Sequence, residues 1–460
     1  MSFKIYSMAL IAMMILPTLQ SCDKDDDSSE IDEPKIDGTE TDKSNTGDPI
    51  TEKIIDSDDY AYIQSKSEKR GVGFGWQNQT DIDLLAPGIS WSYNWGTTYP
   101  TFAERYDLYG LDFSPMCWND NYQDATIKSL FSSHSNIKYL LGYNEPNLTD
   151  QANMTPTQAA SFWPRFKALG QSVNAKLVSP AMNWGTLPGW SNGVEWLKSF
   201  FAQEGVSVDD VDAIAVHIYM TDPQAVIGDL ARYKTFGKKL WLTEFCSWNN
   251  GSNPSASGTQ ISFMSQVLNS IEQDEDIERY AWFIARGNYA QDARGMYLLE
   301  VTENKLTDLG KVYVNMSSFD KNAIYPLGKR IPAEHYRQCS VTDSKSVEIE
   351  VSTDVDGKLQ LAGFSNSYYT DYKIKMGGQN AKIQMRYATN RNNTIMGVYT
   401  VNEETNEETL LTAVELPSTG DTKTWATAES ENITLPIGNV VVRLRPLNGM
   451  LRLNWFKITQ

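Results

Sequence analysis

Two glutamates stand out by their setting. Glu145 closes the run Leu141-Gly-Tyr-Asn-Glu-Pro146, and Glu244 closes Leu240-Trp-Leu-Thr-Glu-Phe245. A pair of carboxyl groups on rigid strand ends suits glycoside hydrolysis: one, protonated, releases the leaving oxygen, and the other, ionised, attacks carbon or activates water. Asn144, directly before Glu145, fits a donor to a sugar 2-hydroxyl. His217 is placed either to hydrogen-bond Glu244 or to fill a core layer. Trp91, Tyr93, Trp95, Trp118, Trp184, Tyr219 and Trp248 are candidate sugar platforms, because the apolar face of a pyranose stacks on a flat ring. About four of these seven are expected to serve, since Trp91, Tyr93 and Trp95 share a strand face and some must point into the core.

The elements that would hold these residues recur along the chain. Eight short apolar or aromatic runs follow one another: Arg70–Trp76, Ile89–Trp95, Leu111–Trp118, Ile137–Pro146, Leu177–Asn183, Ala213–Tyr219, Leu240–Phe245 and Tyr280–Arg286. Amphipathic stretches such as Thr157–Ala175 and Ser255–Glu272 lie between them. Strands alternating with helices imply parallel pairing. Eight such units predict an α/β fold, a (β/α)8 TIM barrel, with the site at the C-terminal ends of its strands. There Glu145 would end the fourth strand and Glu244 the seventh, nearly opposite in the ring. A doubly wound open sheet is the rival, but Gly71-Val-Gly-Phe-Gly75 lacks the spacing of a phosphate loop and sits inside a strand.

Composition narrows the partners. The chain has 460 residues and a formal net charge of −18. Fifteen acids but only four lysines fall in Asp23–Tyr60, so most of the imbalance belongs to one segment. A nucleic-acid partner is excluded by the lack of clustered cations. Three histidines and four scattered cysteines give no metal-ligand or disulfide spacing, so neither a metal nor a cofactor is expected. The chain is expected to be monomeric. Met8–Leu16 is too short for a spanning helix and reads as a signal-peptide core ending in Leu19-Gln-Ser-Cys22, which resembles a lipobox. Residues 1–22 are therefore expected to be a lipoprotein signal with Cys22 as the lipidated residue. Residues 23–65, acidic and poor in apolar side chains, are expected to form a disordered tether. Together these features predict a bacterial outer-membrane lipoprotein exposed at the cell surface. The catalytic barrel is expected over 66–325.

Beyond Tyr325 the helical pattern stops. Val347–Val351, Lys382–Arg386, Val440–Leu444 and Leu451–Ile458 alternate with turn-rich segments, which predicts an all-β jelly-roll sandwich over 326–460.

Five motifs in order, Lys69-Arg-Gly-Val-Gly with Ile89–Trp95, Leu141–Pro146, Ser179-Pro-Ala181, Ala215–Tyr219 and Leu240–Phe245, resemble glycoside hydrolase family 128 over about residues 69 to 290. The resemblance implies a retaining endo-β-1,3-glucanase, with Glu145 as general acid/base and Glu244 as nucleophile. It also implies carboxyl groups about 5–5.5 Å apart. Ile331–Tyr336 and Leu453–Phe456 resemble family 6 carbohydrate-binding modules. In that comparison the sugar-stacking Trp falls near Thr422, Trp425 takes a more structural position, a ligand-binding Asn becomes Arg452 and a calcium ligand becomes Pro332. Phe364, Tyr368 and Tyr369 could offer another sugar site. The readings to set against an endo-β-1,3-glucanase are a non-catalytic surface glycan-binding protein, a glycosidase for another β-glucan, and exo action.

Overall fold

In the computed structural model all eight predicted strands form, in the predicted order. They are β1 (Arg70–Gly73), β2 (Trp91–Tyr93), β3 (Asp112–Phe113), β4 (Tyr139–Leu141), β5 (Lys176–Val178), β6 (Ala213–Ile218), β7 (Lys239–Phe245) and β8 (Ile277–Trp282). A helix follows each: α1 (Gln79–Leu85), α2 (Ala103–Tyr109), α3 (Asp124–Ser133), α4 (Pro156–Ser172), α5 (Gly193–Phe201), α6 (Pro223–Tyr233), α7 (Ala256–Ile271) and α8 (Asp308–Asn315). The eighth strand starts and ends earlier than its apolar run suggested, because the run continues past Trp282 as irregular backbone. The structure describes residues 59–248, 256–287, 295–343 and 345–459. Cys22, the expected signal segment and most of the expected tether lie outside the described residues. Among the described residues no helix is long and apolar enough to cross a membrane.

The strands make one curled parallel sheet in the order β3-β2-β1-β8-β7-β6-β5-β4. Its ends, β3 and β4, meet through isolated parallel bridges, Phe113 with Ile137 and Met116 with Leu141, rather than a continuous ladder. Inside the curl sit Trp91, Tyr93, Met116, Tyr139, Leu141, Val178, Ala181, Ala213, Ala215, Trp241 and Ala281. The glycines of β1 make room for this bulk. A Cβ on Gly71 would lie 2.4 Å from Trp91 Nε1, and one on Gly73 would lie 2.9 Å from the Tyr93 ring. The Gly71–Gly75 motif is thus a packing device under large aromatics. At the closed end the Arg279 guanidinium lies over the rings of Trp91, Tyr139 and Trp241 and pairs with Asp112.

Two antiparallel sheets follow. Their strands are β9 (Ile331–Pro332), β10 (Gln338–Cys339), β11 (Glu348–Val351), β12 (Leu359–Ser365), β13 (Thr370–Gly377), β14 (Asn380–Ala388), β15 (Thr394–Val401), β16 (Glu408–Leu416), β17 (Ala426–Glu429), β18 (Ile433–Thr434), β19 (Ile437–Asn448) and β20 (Met450–Thr459). One sheet runs β10-β13-β19-β15-β16 and the other β11-β12-β20-β14-β17. Alternation along each strand buries one face, as Ala381, Ile383 and Met385 show on β14. The sandwich is fixed to the helical layer. Asn269 on α7 donates to Ser346 Oγ and the Val347 carbonyl and accepts from Tyr336 Oη, and Gln273 meets Cys339.

The expected tether reaches less far than Ser65. Tyr60 and Ala61 are buried, and residue 61 pairs its backbone with Arg330. Gln64 donates to the carbonyls of His335 and Tyr336. The acidic composition of the preceding segment hid these few apolar and amide anchors.

Gly71→Ala is expected to destabilise the protein by about 1–3 kcal/mol, the usual cost of overpacking a filled core. The expected readout is a lower urea midpoint, with Trp91→Phe in the same chain recovering part of the loss.

Candidate active site

The site lies at the C-terminal ends of β2, β4, β5, β6 and β7. Glu145 follows β4 in a left-handed backbone conformation, φ 44°, that few non-glycine residues adopt. Its amide donates to the Ala181 carbonyl, and its carbonyl accepts from Leu148. Glu244 lies within β7, one residue from its end. One oxygen of each carboxylate and one nitrogen of His217 all lie within 4.8 Å of one another, and all three residues are buried. His217 Nδ1 is 2.7 Å from Glu145 Oε1 and 3.4 Å from Glu244 Oε2. The histidine therefore bridges both acids, and its tighter contact is to Glu145.

The hydrogen bonds divide the two glutamates. Glu244 Oε1 accepts from Trp95 Nε1 at 2.6 Å and from Tyr93 Oη at 3.0 Å, and Oε2 accepts from Tyr219 Oη. An indole N–H can only donate, so this donor set suits an ionised carboxylate. Glu145 receives Asn183 Nδ2 at 2.6 Å and His217, both on Oε1. Its Oε2 has no protein partner among the described residues.

Electrostatics couples the three groups. Burial raises the pKa of Glu244 above the ordinary carboxyl value, and the charge of Glu145 adds to this. His217 and the donors Tyr219 and Trp95 pull it back in part. Burial opposes protonation of His217, but the two carboxylates outweigh it and hold its pKa above the usual imidazole value. Burial and the adjacent carboxylate charge raise Tyr93 and Tyr219 far out of range, so both phenols stay protonated donors.

The other predicted residues divide by depth. Trp91 is not a sugar platform: it is wholly buried in the interior, its Nε1 bonded to the Lys69 carbonyl. Tyr93 is likewise fully buried, a partner of Glu244 rather than an exposed stacking face. Tyr219 is buried under Trp248 and Trp184, whose rings meet it edge-on at 5.2 and 6.2 Å. Trp184 is the open aromatic, 45% exposed, while Trp95, Trp118 and Trp248 are half-buried. Asn144 donates to Gln151, and its buried Oδ1 has no protein partner among the described residues. Asn183 stands at a strand end in the sequence, but nothing there assigns it a role. Its only sequence signal was its place at the end of the fifth apolar run.

The sequence and fold have relatives. Residues 71–313 match the family model described as glycosyl hydrolase catalytic core, and 333–460 match carbohydrate binding module (family 6). A family 128, subgroup II, endo-β-1,3-glucanase from Pseudomonas viridiflava is 36% identical, with the match covering 54% of this chain and 98% of that one at a TM-score of 0.50. The chain belongs to glycoside hydrolase family 128. A second subgroup II endo-β-1,3-glucanase of this family, from Sorangium cellulosum, is 33% identical over 54% of this chain and 97% of that one, with a TM-score of 0.47. Alkali-sensitive linkage protein 1 of Schizosaccharomyces pombe is 27% identical over 262 residues, 55% of this chain and 45% of its own length. This family 128 member is a glycoside hydrolase with an attached family 6 module.

In that module Arg452 and Trp425 make contacts within the domain. Arg452 pairs with Glu350 and reaches the Thr422 carbonyl, and Trp425 Nε1 donates to Thr353. Phe364 is core and so offers no sugar site, and Tyr369 lies beneath the Arg443 guanidinium. Pro332 offers no side-chain oxygen, and Glu334 joins no group of three acidic, histidine or cysteine side chains among the described residues. Glu334 is buried with neither oxygen in a regular hydrogen bond. Burial pushes its carboxyl up to about 8, against the pull of nearby amides and Lys358.

Two tests follow from these environments. Tyr219→Phe removes a charge-assisted hydrogen bond to Glu244, so kcat/KM should fall about 10- to 100-fold. Losing that donor favours the protonated carboxyl, so the acidic limb of the pH profile should move to higher pH. Glu334, protonated when folded and ionised when unfolded, should make stability fall as pH rises from the ordinary carboxyl range to about 8 and level off above it. Thermal melts across that range should show the decline in wild type and its reduction in Glu334→Gln.

Proposed function

We propose that this hydrolase cleaves internal bonds of a β-1,3-glucan with retention at the anomeric carbon. The observation that carries the mechanism is the spacing of Glu145 and Glu244, one oxygen of each within 4.8 Å of the other with His217 between them. Retaining pairs stand about 5–5.5 Å apart, whereas inverting pairs need roughly 6.5–9.5 Å to admit a water. The substrate reading rests on the Pseudomonas viridiflava endo-β-1,3-glucanase, matched over nearly its whole length.

In the first step Glu145 gives its proton to the glycosidic oxygen while a Glu244 oxygen bonds to C1. The C1–O bond breaks and its electron pair leaves with the aglycone. In the second step Glu145, now ionised, takes a proton from water as that water displaces Glu244. The three donors on Glu244 suit an ionised nucleophile. We read the curled sheet as a (β/α)8 barrel, from its cyclic strand order, and the sandwich as a jelly roll. The lipobox-like segment at Cys22 and the acidic tail behind it support display on an outer membrane, with the module as a second contact to the glucan.

The test is the first anomer released from a β-1,3-gluco-oligosaccharide, followed by proton NMR. The β-anomer should appear before mutarotation, and an initial α-anomer would sink the mechanism. Linear β-1,3-glucan should yield a ladder of oligosaccharides; a single small sugar from the outset would mean exo action. Glu145→Gln and Glu244→Gln should each lower turnover about 100- to 10,000-fold. Binding without turnover in the wild type would instead support a glycan-binding protein.

A further inference from the structure

Glu145 sits on an unfavourable backbone, so something must fix the direction of its carboxyl. Its two hydrogen bonds fall on the same oxygen, Oε1. The closer comes from Asn183, which is buried just beyond β5. The amide of Asn183 cannot turn over freely, because its Oδ1 already accepts from the Trp184 amide at 2.7 Å. That bond leaves the NH2 group as the face presented to Glu145.

Asn183 is itself clamped. Asn147, fully buried two residues after Glu145, donates Nδ2 to the Asn183 carbonyl at 2.6 Å and accepts the Asn183 amide on Oδ1 at 3.4 Å. The Asn147 carbonyl accepts from both Thr186 and Leu187 at 3.0 Å. The loop after β4 and the loop after β5 are thereby fastened together at the point where each carries one half of the Glu145–Asn183 contact.

We infer that Asn183, held by Asn147, is a positioning residue that keeps Glu145 Oε1 an acceptor and so leaves the proton on Oε2. The inference rests on Glu145 as acid/base. The carbonyl oxygen of a neutral acid is its better acceptor, so a donor on Oε1 favours the proton on the other oxygen. Of the two oxygens, Oε2 alone has no protein partner among the described residues, so it is available to the leaving group. Asn183 touches neither the substrate carbon nor the leaving oxygen in this scheme; it acts through Glu145. A misdirected acid loses the advantage of a preset geometry.

The experiment compares two leaving groups on one sugar. A β-1,3-glucan oligosaccharide needs protonation of its departing oxygen, whereas the matching 2,4-dinitrophenyl β-glycoside does not. Asn183→Ala should lower kcat/KM for the oligosaccharide by about 10- to 100-fold. For the dinitrophenyl substrate the loss should shrink to within about threefold, because no acid is required. An equal loss on both substrates, or no loss on either, would overturn the inference. Asn147→Ser should change the ratio in the same direction by a smaller factor, and it carries the test if Asn183→Ala fails to fold. Glu145→Ala separates the two levels. If it lacks the leaving-group dependence, the acid/base reading itself fails. If it has the dependence and Asn183→Ala does not, only the positioning role is lost.

Discussion

Two carboxylates brought within 4.8 Å in a dry site are the constraint that the rest of this structure answers. Like charges at that distance repel, and burial withdraws the water that would screen them. His217 between them, two phenols and one indole on Glu244, and one amide on Glu145 supply the compensation. These five donors come from three strands, β2, β5 and β6, or the loops after them. The site therefore exists only when several strand ends are set to within a fraction of an ångström, which demands a stiff support.

That support is the packed interior of the curl. Trp91 and Trp241 fill its lower part with Arg279 beneath them, and Tyr93 above them carries its hydroxyl to Glu244. Alternate residues along β2 and just beyond it thus divide their work by height: Trp91 packs, Tyr93 packs and donates, and Trp95 donates at the mouth. The small residues Gly71 and Gly73 on the neighbouring strand are the complement of this stack. Strength low in the sheet and polarity at its C-terminal ends is the division expected of parallel strands with covered faces.

The sandwich adds a second answer to a similar problem. It buries charge freely but pairs most of it internally, as in Arg443 with Asp371 and Arg386 with Asp354. Glu334 is the exception, and its raised pKa shows the alternative to pairing, which is to stay neutral. Arg452 pairs with Glu350 and reaches the Thr422 carbonyl in the same way, so its charge too is met from within the domain.

Much was legible from the chain alone. Eight β/α units could be counted, because apolar runs of strand length separated by amphipathic stretches leave a period that does not depend on the partner strand. The two glutamates and their strand ends followed from that count, and the sandwich followed from alternation. Depth was not legible. Trp91 and Trp184 look alike in sequence, yet one is sealed inside the curl and the other is half open, because facing depends on strand tilt and on the gaps left by Gly71 and Gly73. Nor was the partner of His217 fixed until β6 was laid beside β7 and the loop after β4. The role of Asn183 was illegible for the same reason. A hydrogen bond across 38 residues leaves no local pattern, and only the joining of two loops through Asn147 turns an ordinary asparagine into the neighbour of the acid.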